Sequence, residues 1–327
     1  MVRVLSDSEV ADCLELGDLL PVVREAFVKQ GRGEVERPER PHFPVGAGLG
    51  GGDSGSRGTG LVMPAYVHGA EFYATKLVGV HEGNADRGLP TVNAQIALIE
   101  ADTGLPAAYL AGTRITNART GCIGGLAAAE LAVGDAVTLG ILGAGTQARW
   151  QARAIGAATD LESVRVYSPS DSKHECTEDL REELEVPIEA VDSPEDAVRG
   201  ANVVVTATTA TEPVFPGTAL ESGTLVVAVG AYTAEMRELD ATTFDRAARV
   251  FADVPEEVAE IGDLLSADVD ADELLAFSAV LEGTVGRESD DDILVVESVG
   301  TAVLDAATAE YVFEGAEAKE VGTDVAL

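Results

Sequence analysis

A chain of 327 residues with 46% hydrophobic content is long enough for two ordinary domains, each with a packed core. It carries 57 acids against 22 bases, a formal net charge of −35, which repels nucleic acid and anionic membrane surfaces and so excludes them as partners. No apolar stretch approaches the roughly 20 residues of a bilayer span, and the acidic N-terminus lacks the basic start and apolar centre of a signal peptide, so a cytoplasmic protein is expected.

The acids are spread through segments such as REELE, DVPEEVAE and SADVDADE, and only four of the bases are lysines. This pattern reads as a solvated halophilic surface, whose self-repulsion molar salt screens over about 3 Å. Cys13, Cys122 and Cys176 are far apart and show no CxxC spacing, which supports neither a disulfide framework nor a zinc site. Asp290, Asp291 and Asp292 read as a solvated loop, and no metal is expected.

In chain order, a helical opening over about Asp7 to Gln30 comes first. Short strands follow at 60–67 (GLVMPAYV), 71–80 (EFYATKLVGV) and 91–111, the last folded back through the turn ADTG, so an antiparallel or mixed sheet is expected. The stretch 46–60, GAGLGGGDSGSRGTG, lacks the GK[ST] ending of a phosphate-binding P-loop and reads as a flexible hairpin tip. His81, in GVHEGN, reads as a structural hydrogen-bonding residue.

GTRITNARTGCIGGLAAAELAVG then reads as a helix of small residues stopped by Gly134. Within it Arg119 stands out, because a guanidinium buried among small residues needs a carboxylate or phosphate partner. From there strands and helices alternate: a strand at 136–142, a helix at about 146–158, a strand at 163–168, a helix in SDSKHECTEDLREEL and a short strand in VPIEAV. Ser193 and Asp196 resemble a capping box, and strands are expected at 201–208, 224–230 and 248–253. The fold class is therefore α/β, with a doubly wound domain around a mostly parallel sheet from roughly 121 to 300.

Residues 143–148, GAGTQA, fit GxGxxA between a strand and a helix. Gly143 allows the tight turn, Gly145 lets the backbone approach a pyrophosphate, and Ala148 permits close helix–strand packing. About twenty residues on, where NAD-preferring versions carry an acid, the sequence reads VYSPS and Ser168 takes that place. Ser168 and Ser170, with Lys173 or Arg149, could bond a 2′-phosphate, so NADP is favoured. In the alternative, Asp171 serves the ribose and the cofactor is NAD.

With Lys76, GLPTVNAQ, ITNARTGCIGGLAAAELA, GAGTQA and ESVGTAVLDAATA, the chain resembles the ornithine cyclodeaminase/mu-crystallin family over nearly its whole length. The resemblance implies a homodimer whose central Rossmann domain, 121–300, is joined to an α+β substrate-binding and dimerisation domain built from 1–120 and 301–327. It puts Arg40, Lys76 and Arg119 at the substrate carboxylate, with Lys76 also a catalytic proton shuttle and Val299 a further substrate contact. On the cofactor side it puts Thr91, Arg119, Thr146, Gln147, Thr208 and Ser298 beside Gly143, Gly145 and Ser168. One departure bears on mechanism: in VGAYTAEMRELD, Tyr232 stands where cyclodeaminases carry an aspartate acid/base, and Met236 where they carry a lysine. The implied function is an NAD(P)-dependent oxidoreductase acting on a small 2-amino or 2-imino acid, of alanine dehydrogenase or ketimine reductase type. Ornithine cyclodeaminase and a mu-crystallin-type NADP-dependent binding protein are the alternatives.

Overall fold

The computed structural model describes residues 1–49 and 55–326; residues 50–54, within the expected hairpin tip, lie outside the described residues. The chain divides into two compact units. Unit 1 comprises Met1–Glu15, Arg32–Arg119 and Ala302–Leu327, and unit 2 comprises Leu16–Gly31 and Thr120–Thr301.

Unit 1 is built on a mixed sheet of β1 (Val2–Leu5), β2 (Val35–Glu36), β3 (His42–Val45), β4 (Gly58–Val67), β5 (Phe72–Val80), β6 (Val92–Glu100) and β7 (Pro106–Ala111), with a C-terminal strand Thr323–Val325. The order runs from that C-terminal strand through β1, β7, β6, β5 and β4 to β2, with β3 also on β4. β1 lies parallel to β7, whereas β4, β5, β6 and β7 pair antiparallel in sequence order. Alternation fixes the faces of the sheet: Ala74 and Lys76 on β5 are buried, while Leu77 on the same strand points to solvent. The helix Ala302–Lys319 packs against β4, β5 and β6, and the Phe72 and Phe313 rings meet edge-on at 5.3 Å.

Unit 2 holds β8 (Ala136–Leu142), β9 (Asp160–Tyr167), β10 (Ile188–Ala190), β11 (Val203–Thr206), β12 (Leu225–Ala228), β13 (Ala247–Ala252), β14 (Leu275–Ala276) and β15 (Ile293–Glu297). The order is β10-β9-β8-β11-β12-β15-β13-β14, and every pair is parallel. The order reverses between β8 and β11, the switch point at which open α/β sheets take their ligands. The central strands are buried on both faces: Val203 to Thr206, Leu225 to Ala228 and Ile293 to Glu297 are shielded throughout, as suits the apolar runs that begin each of them.

The structure corrects the sequence reading in two places. The single opening helix is two, Asp7–Asp12 and Leu16–Gly31, separated at Cys13; the first is started by a capping box in which Ser6 and Glu9 serve each other's backbone N–H. The second does not join residues 1–120 as expected but belongs to unit 2, because its apolar face of Leu19, Leu20, Val23, Ala26 and Phe27 packs there. Phe27 meets Phe277 edge-on at 5.5 Å.

The helix of small residues spans Gly112–Leu131, and its later part lies against the helix Thr146–Ala158. A Cβ at Gly121 would come 2.7 Å from the Trp150 carbonyl oxygen, at Gly124 1.8 Å from Gln151 Oε1, and at Gly125 2.7 Å from the Ala154 carbonyl oxygen. Only glycine fits this seam. Ser193 caps the helix Pro194–Val198 by accepting from the Asp196 N–H at 3.1 Å.

Candidate active site

Unit 1 gathers three ionisable side chains from three elements. Lys76 sits mid-strand in β5, opposite Met63 of β4 and Ile96 of β6, so its neighbours within the sheet are apolar. Arg119 comes from the helix Gly112–Leu131, and Asp305 from the first turn of the helix Ala302–Lys319, where the helix dipole favours an anion. Asp305 Oδ2 lies 2.5 Å from Lys76 Nζ, and Asp305 Oδ1 accepts from Arg119 Nε at 2.9 Å. Side-chain exposure is 2% for Lys76, 5% for Arg119 and 2% for Asp305, so water screens none of these interactions effectively.

The sequence reading asked for a carboxylate to accompany a buried Arg119, and the structure supplies an internal one that it had not named. Lys76 Nζ also donates to Thr116 Oγ1 at 3.4 Å, and the Thr116 hydroxyl donates to the Gly112 carbonyl. Burial lowers the Lys76 ammonium to about 8; Asp305 works against that, while the charges of Arg119 and Arg40 add to it. Burial alone would raise the Asp305 carboxyl, but Arg119 and Lys76 outweigh it and hold the group below its ordinary value. Arg40 is half-buried in the connection from β2 to β3, close enough for its charge to act on Lys76.

Of the other residues expected in unit 1, Thr91 is exposed just ahead of β6, and its carbonyl accepts from the His81 N–H at 2.8 Å. His81 Nδ1 lies 3.2 Å from the Arg57 carbonyl oxygen, a hydrogen bond that ties backbone segments together.

In unit 2 the glycine turn has the shape a pyrophosphate requires. Gly143 adopts φ +113°, and a Cβ there would come 2.5 Å from the Ala207 carbonyl oxygen. Gly145 is the N-cap of the helix Thr146–Ala158, has no side chain to cap it, and faces open space within 4 Å of its Cβ position. Ala148 is fully buried against the sheet. Thr146 and Gln147 form the first turn, which carries no acid, so the helix N-terminus keeps its positive end for an anion. Arg149 braces the turn by donating to the Ala144 carbonyl at 2.6 Å and to Asp179 at 2.7 Å.

Past β9, the hydroxyls of Ser168, Ser170 and Ser172 form a cluster: Ser168 Oγ to Ser170 Oγ is 3.2 Å and Ser170 Oγ to Ser172 Oγ is 2.7 Å. The two cations expected to assist them are engaged elsewhere, Arg149 by Asp179 and Lys173 by Asp192 and the Val191 carbonyl.

Two further carboxylates, absent from the sequence reading, hold the remaining expected residues. Glu238 accepts from the N–H and hydroxyl of Thr208 at 2.6 and 2.7 Å, from the Thr206 hydroxyl at 2.9 Å and from the Gly230 N–H at 2.8 Å. Asp253 accepts from the Ser298 hydroxyl at 2.7 Å and from the N–H groups of Val299 and Gly300 at 3.2 and 2.8 Å. Burial raises Glu238 to about 7 despite its four donors. Burial likewise raises Asp263, which accepts from the N–H groups of Glu238 and Leu239, to about 6. Tyr232 is exposed in the segment after β12, and Met236 is buried. Among the described residues no group of three or more His, Cys, Asp or Glu side chains could hold a metal ion.

Lys76, Arg119 and Asp305 thus form one cluster in unit 1, with Arg40 acting on it electrostatically. Gly143, Gly145, Thr146, Gln147, Ser168, Thr208, Ser298 and Val299 lie in unit 2. Arithmetic on charge could have found Asp305: it is the single acid in the apolar stretch SVGTAVLDAATA.

The family model for the ornithine cyclodeaminase/mu-crystallin family matches residues 2–320. A delta(1)-pyrroline-2-carboxylate reductase of Bacillus cereus is 33% identical over 331 residues, covering 98% of each chain. Among solved structures, Thermococcus litoralis delta(1)-pyrroline-2-carboxylate reductase in complex with NADH and L-proline superposes with a TM-score of 0.93 at 31% identity, over 99% of this chain and 100% of that one. An archaeal alanine dehydrogenase dimer with bound NAD gives 0.89 at 27% identity, over 99% of each chain.

Proposed function

The chain belongs to the ornithine cyclodeaminase/mu-crystallin family, and from that premise we propose that it is an NAD(P)-dependent oxidoreductase exchanging hydride at the α-carbon of a small 2-amino or 2-imino acid, of the pyrroline-2-carboxylate reductase or alanine dehydrogenase kind. The observation that carries this reading is the buried cluster of Lys76, Arg119 and Asp305. Two cations against one anion leave a positive charge uncompensated in the interior of a chain whose net charge is −35, and a substrate carboxylate meets that demand. Arg40 adds to the attraction. Val299 is assigned to the substrate, and Thr91, Thr208 and Ser298 to the cofactor.

Reduction of C=N puts a hydride on carbon and a proton on nitrogen. The first turn of the helix Thr146–Ala158, with Gly143 and Gly145, would hold NAD(P)H, which supplies the hydride when bound. Lys76 serves the proton: a group near 8 donates below that pH and accepts above it, which suits a reversible reaction. The relatives named above support this reading, one of them a reductase bound to NADH and L-proline.

For the cofactor, the serine cluster after β9 favours NADP, since Ser168 stands where NAD-preferring versions carry a carboxylate and three hydroxyls can surround a 2′-phosphate. A cytoplasmic homodimer completes the reading. Val4, Leu77 and Tyr109 are exposed together on the outer face of the unit 1 sheet, and the archaeal relative is a dimer. Among the described residues no helix is long and apolar enough to cross a membrane. Ornithine cyclisation is disfavoured by Tyr232, which cannot hold a carboxylate's charge beside an ammonium, and a passive binder has no need of the cationic cluster.

The test is NAD(P)H oxidation at high salt with Δ1-pyrroline-2-carboxylate and with pyruvate plus ammonia. Turnover of either substrate supports the assignment. No oxidation with either, together with proline and ammonia released from ornithine, overturns it.

A further inference from the structure

Asp305 makes two contacts that differ in consequence. Toward Lys76 it is the one anion acting on a buried ammonium that otherwise faces Arg119 from one helix, Arg40 from the β2–β3 connection, the Thr116 hydroxyl, and the apolar Met63 and Ile96 of its flanking strands. Without that anion the charges nearest Lys76 are all positive, and burial already disfavours a charge there. Toward Arg119 it takes only Nε; among the described residues no hydrogen bond uses Arg119 Nη1 or Nη2. The guanidinium edge that matches a carboxylate in two parallel bonds is therefore left for an incoming ligand.

We propose that Asp305 is a positioning residue of this site: its carboxylate keeps an ammonium on Lys76 within a water-poor cluster and turns the Nη edge of Arg119 toward the substrate carboxylate. This rests on the proposed function for its substrate but not for its physics. A bound substrate carboxylate then completes a set of two cations and two anions. Lys76 retains its proton through binding and has it available for the imine nitrogen, rather than losing it to Arg119 and Arg40 repulsion before the substrate arrives.

The four lysines, Lys29, Lys76, Lys173 and Lys319, make a direct test practicable. Lysine labelled with carbon-13 at Cε gives four signals in the full chain at high salt, and Lys76 is identified by its absence in Lys76→Arg. In the wild type the Lys76 signal should titrate near pH 8. In Asp305→Asn its midpoint should fall by about one pH unit or more, and in Asp305→Glu it should return toward the wild-type value. The high-pH limb of kcat/KM for imine reduction should move down in parallel with the midpoint, a shift that a merely structural defect does not produce. An unmoved midpoint in folded Asp305→Asn overturns the proposal. Should that variant fail to fold, the wild type decides: an ammonium at Lys76 at pH 7 upholds the role, and a neutral amine there ends it. Because the midpoint needs no turnover, an inactive wild type with a shifted midpoint in Asp305→Asn defeats the proposed function alone. An active wild type with an unmoved midpoint defeats the role of Asp305 alone.

Discussion

The two units bury carboxylates equally deeply and treat them in opposite ways. Asp305 in unit 1 lies between two cations and is held below its ordinary value, whereas Glu238 and Asp263 in unit 2 are met by N–H and hydroxyl donors and rise to about 7 and about 6. Glu297, at the end of β15, is raised well above its ordinary value by burial and by the neighbouring Asp263, Glu238 and Asp253. Burial sets the cost of a charge, and the partner decides whether the charge survives. Where cations answer the acid, the cluster keeps a surplus charge that a ligand can use. Where dipoles answer it, the acid becomes a staple for backbone: Glu238 joins the ends of β11 and β12 through Thr206, Thr208 and Gly230.

The largest expected effect bears on both units together. The contrast exists only in the folded chain, and dialysis from 3 M to 0.1 M KCl should cost the fold, since 57 acids are then screened over about 10 Å instead of about 3 Å. A melting temperature unchanged between those salts, followed by circular dichroism, removes the halophilic reading. Next comes the staple itself. Glu238→Ala leaves four donors without their acceptor and should lower stability by about 3 kcal/mol or more, or roughly 10 °C in Tm. The wild type carries a pH signature of the same staple. Glu238 and Asp263 bind more protons folded than unfolded from about their ordinary values up to about 7 and about 6, so stability should fall as pH rises through that window. Denaturation midpoints that rise with pH between 5 and 7 would reverse the assignment of unit 2 as the dipole-held region.

Arg119→Ala tests the cationic side. Losing a bidentate contact of about 3 kcal/mol should cut kcat/KM for an imino acid by two or more orders of magnitude, and full activity in steady-state kinetics would break the comparison. The smallest effect is at the cofactor: Ser168→Asp should reduce kcat/KM with NADPH by about tenfold relative to NADH, measured in competition.

What could be read from the residues alone follows from how local each feature is. GAGTQA was legible because strand, turn and helix adjoin in sequence, and Gly143 indeed needs its positive φ. β1 was not, because its pairing with β7 and with Thr323–Val325 joins residues about a hundred and about three hundred positions apart. β15 enters the sheet between β12 and β13, out of sequence order, so its place comes from pairings with strands 40 or more positions away. Lys76 and Arg119 are legible in the sequence, whereas Asp305 shows there only as a lone acid in an apolar stretch, and its partners come from the meeting of a strand and two helices. The start of the first helix has a local sign, Ser6 and Glu9 at capping-box spacing, but the assignment of Leu16–Gly31 to unit 2 depends on a distant Phe277.

The glycine seam in unit 2 has a consequence for how this sequence can change over time. Gly121, Gly124 and Gly125 leave no room for even a methyl group beside Trp150, Gln151 and Ala154, and the helix they abut begins at the glycine turn Gly143–Gly145. Substitutions that water reaches escape this constraint, whereas any side chain added along this strip of bare backbone must push the neighbouring helix away from the sheet turn it starts from.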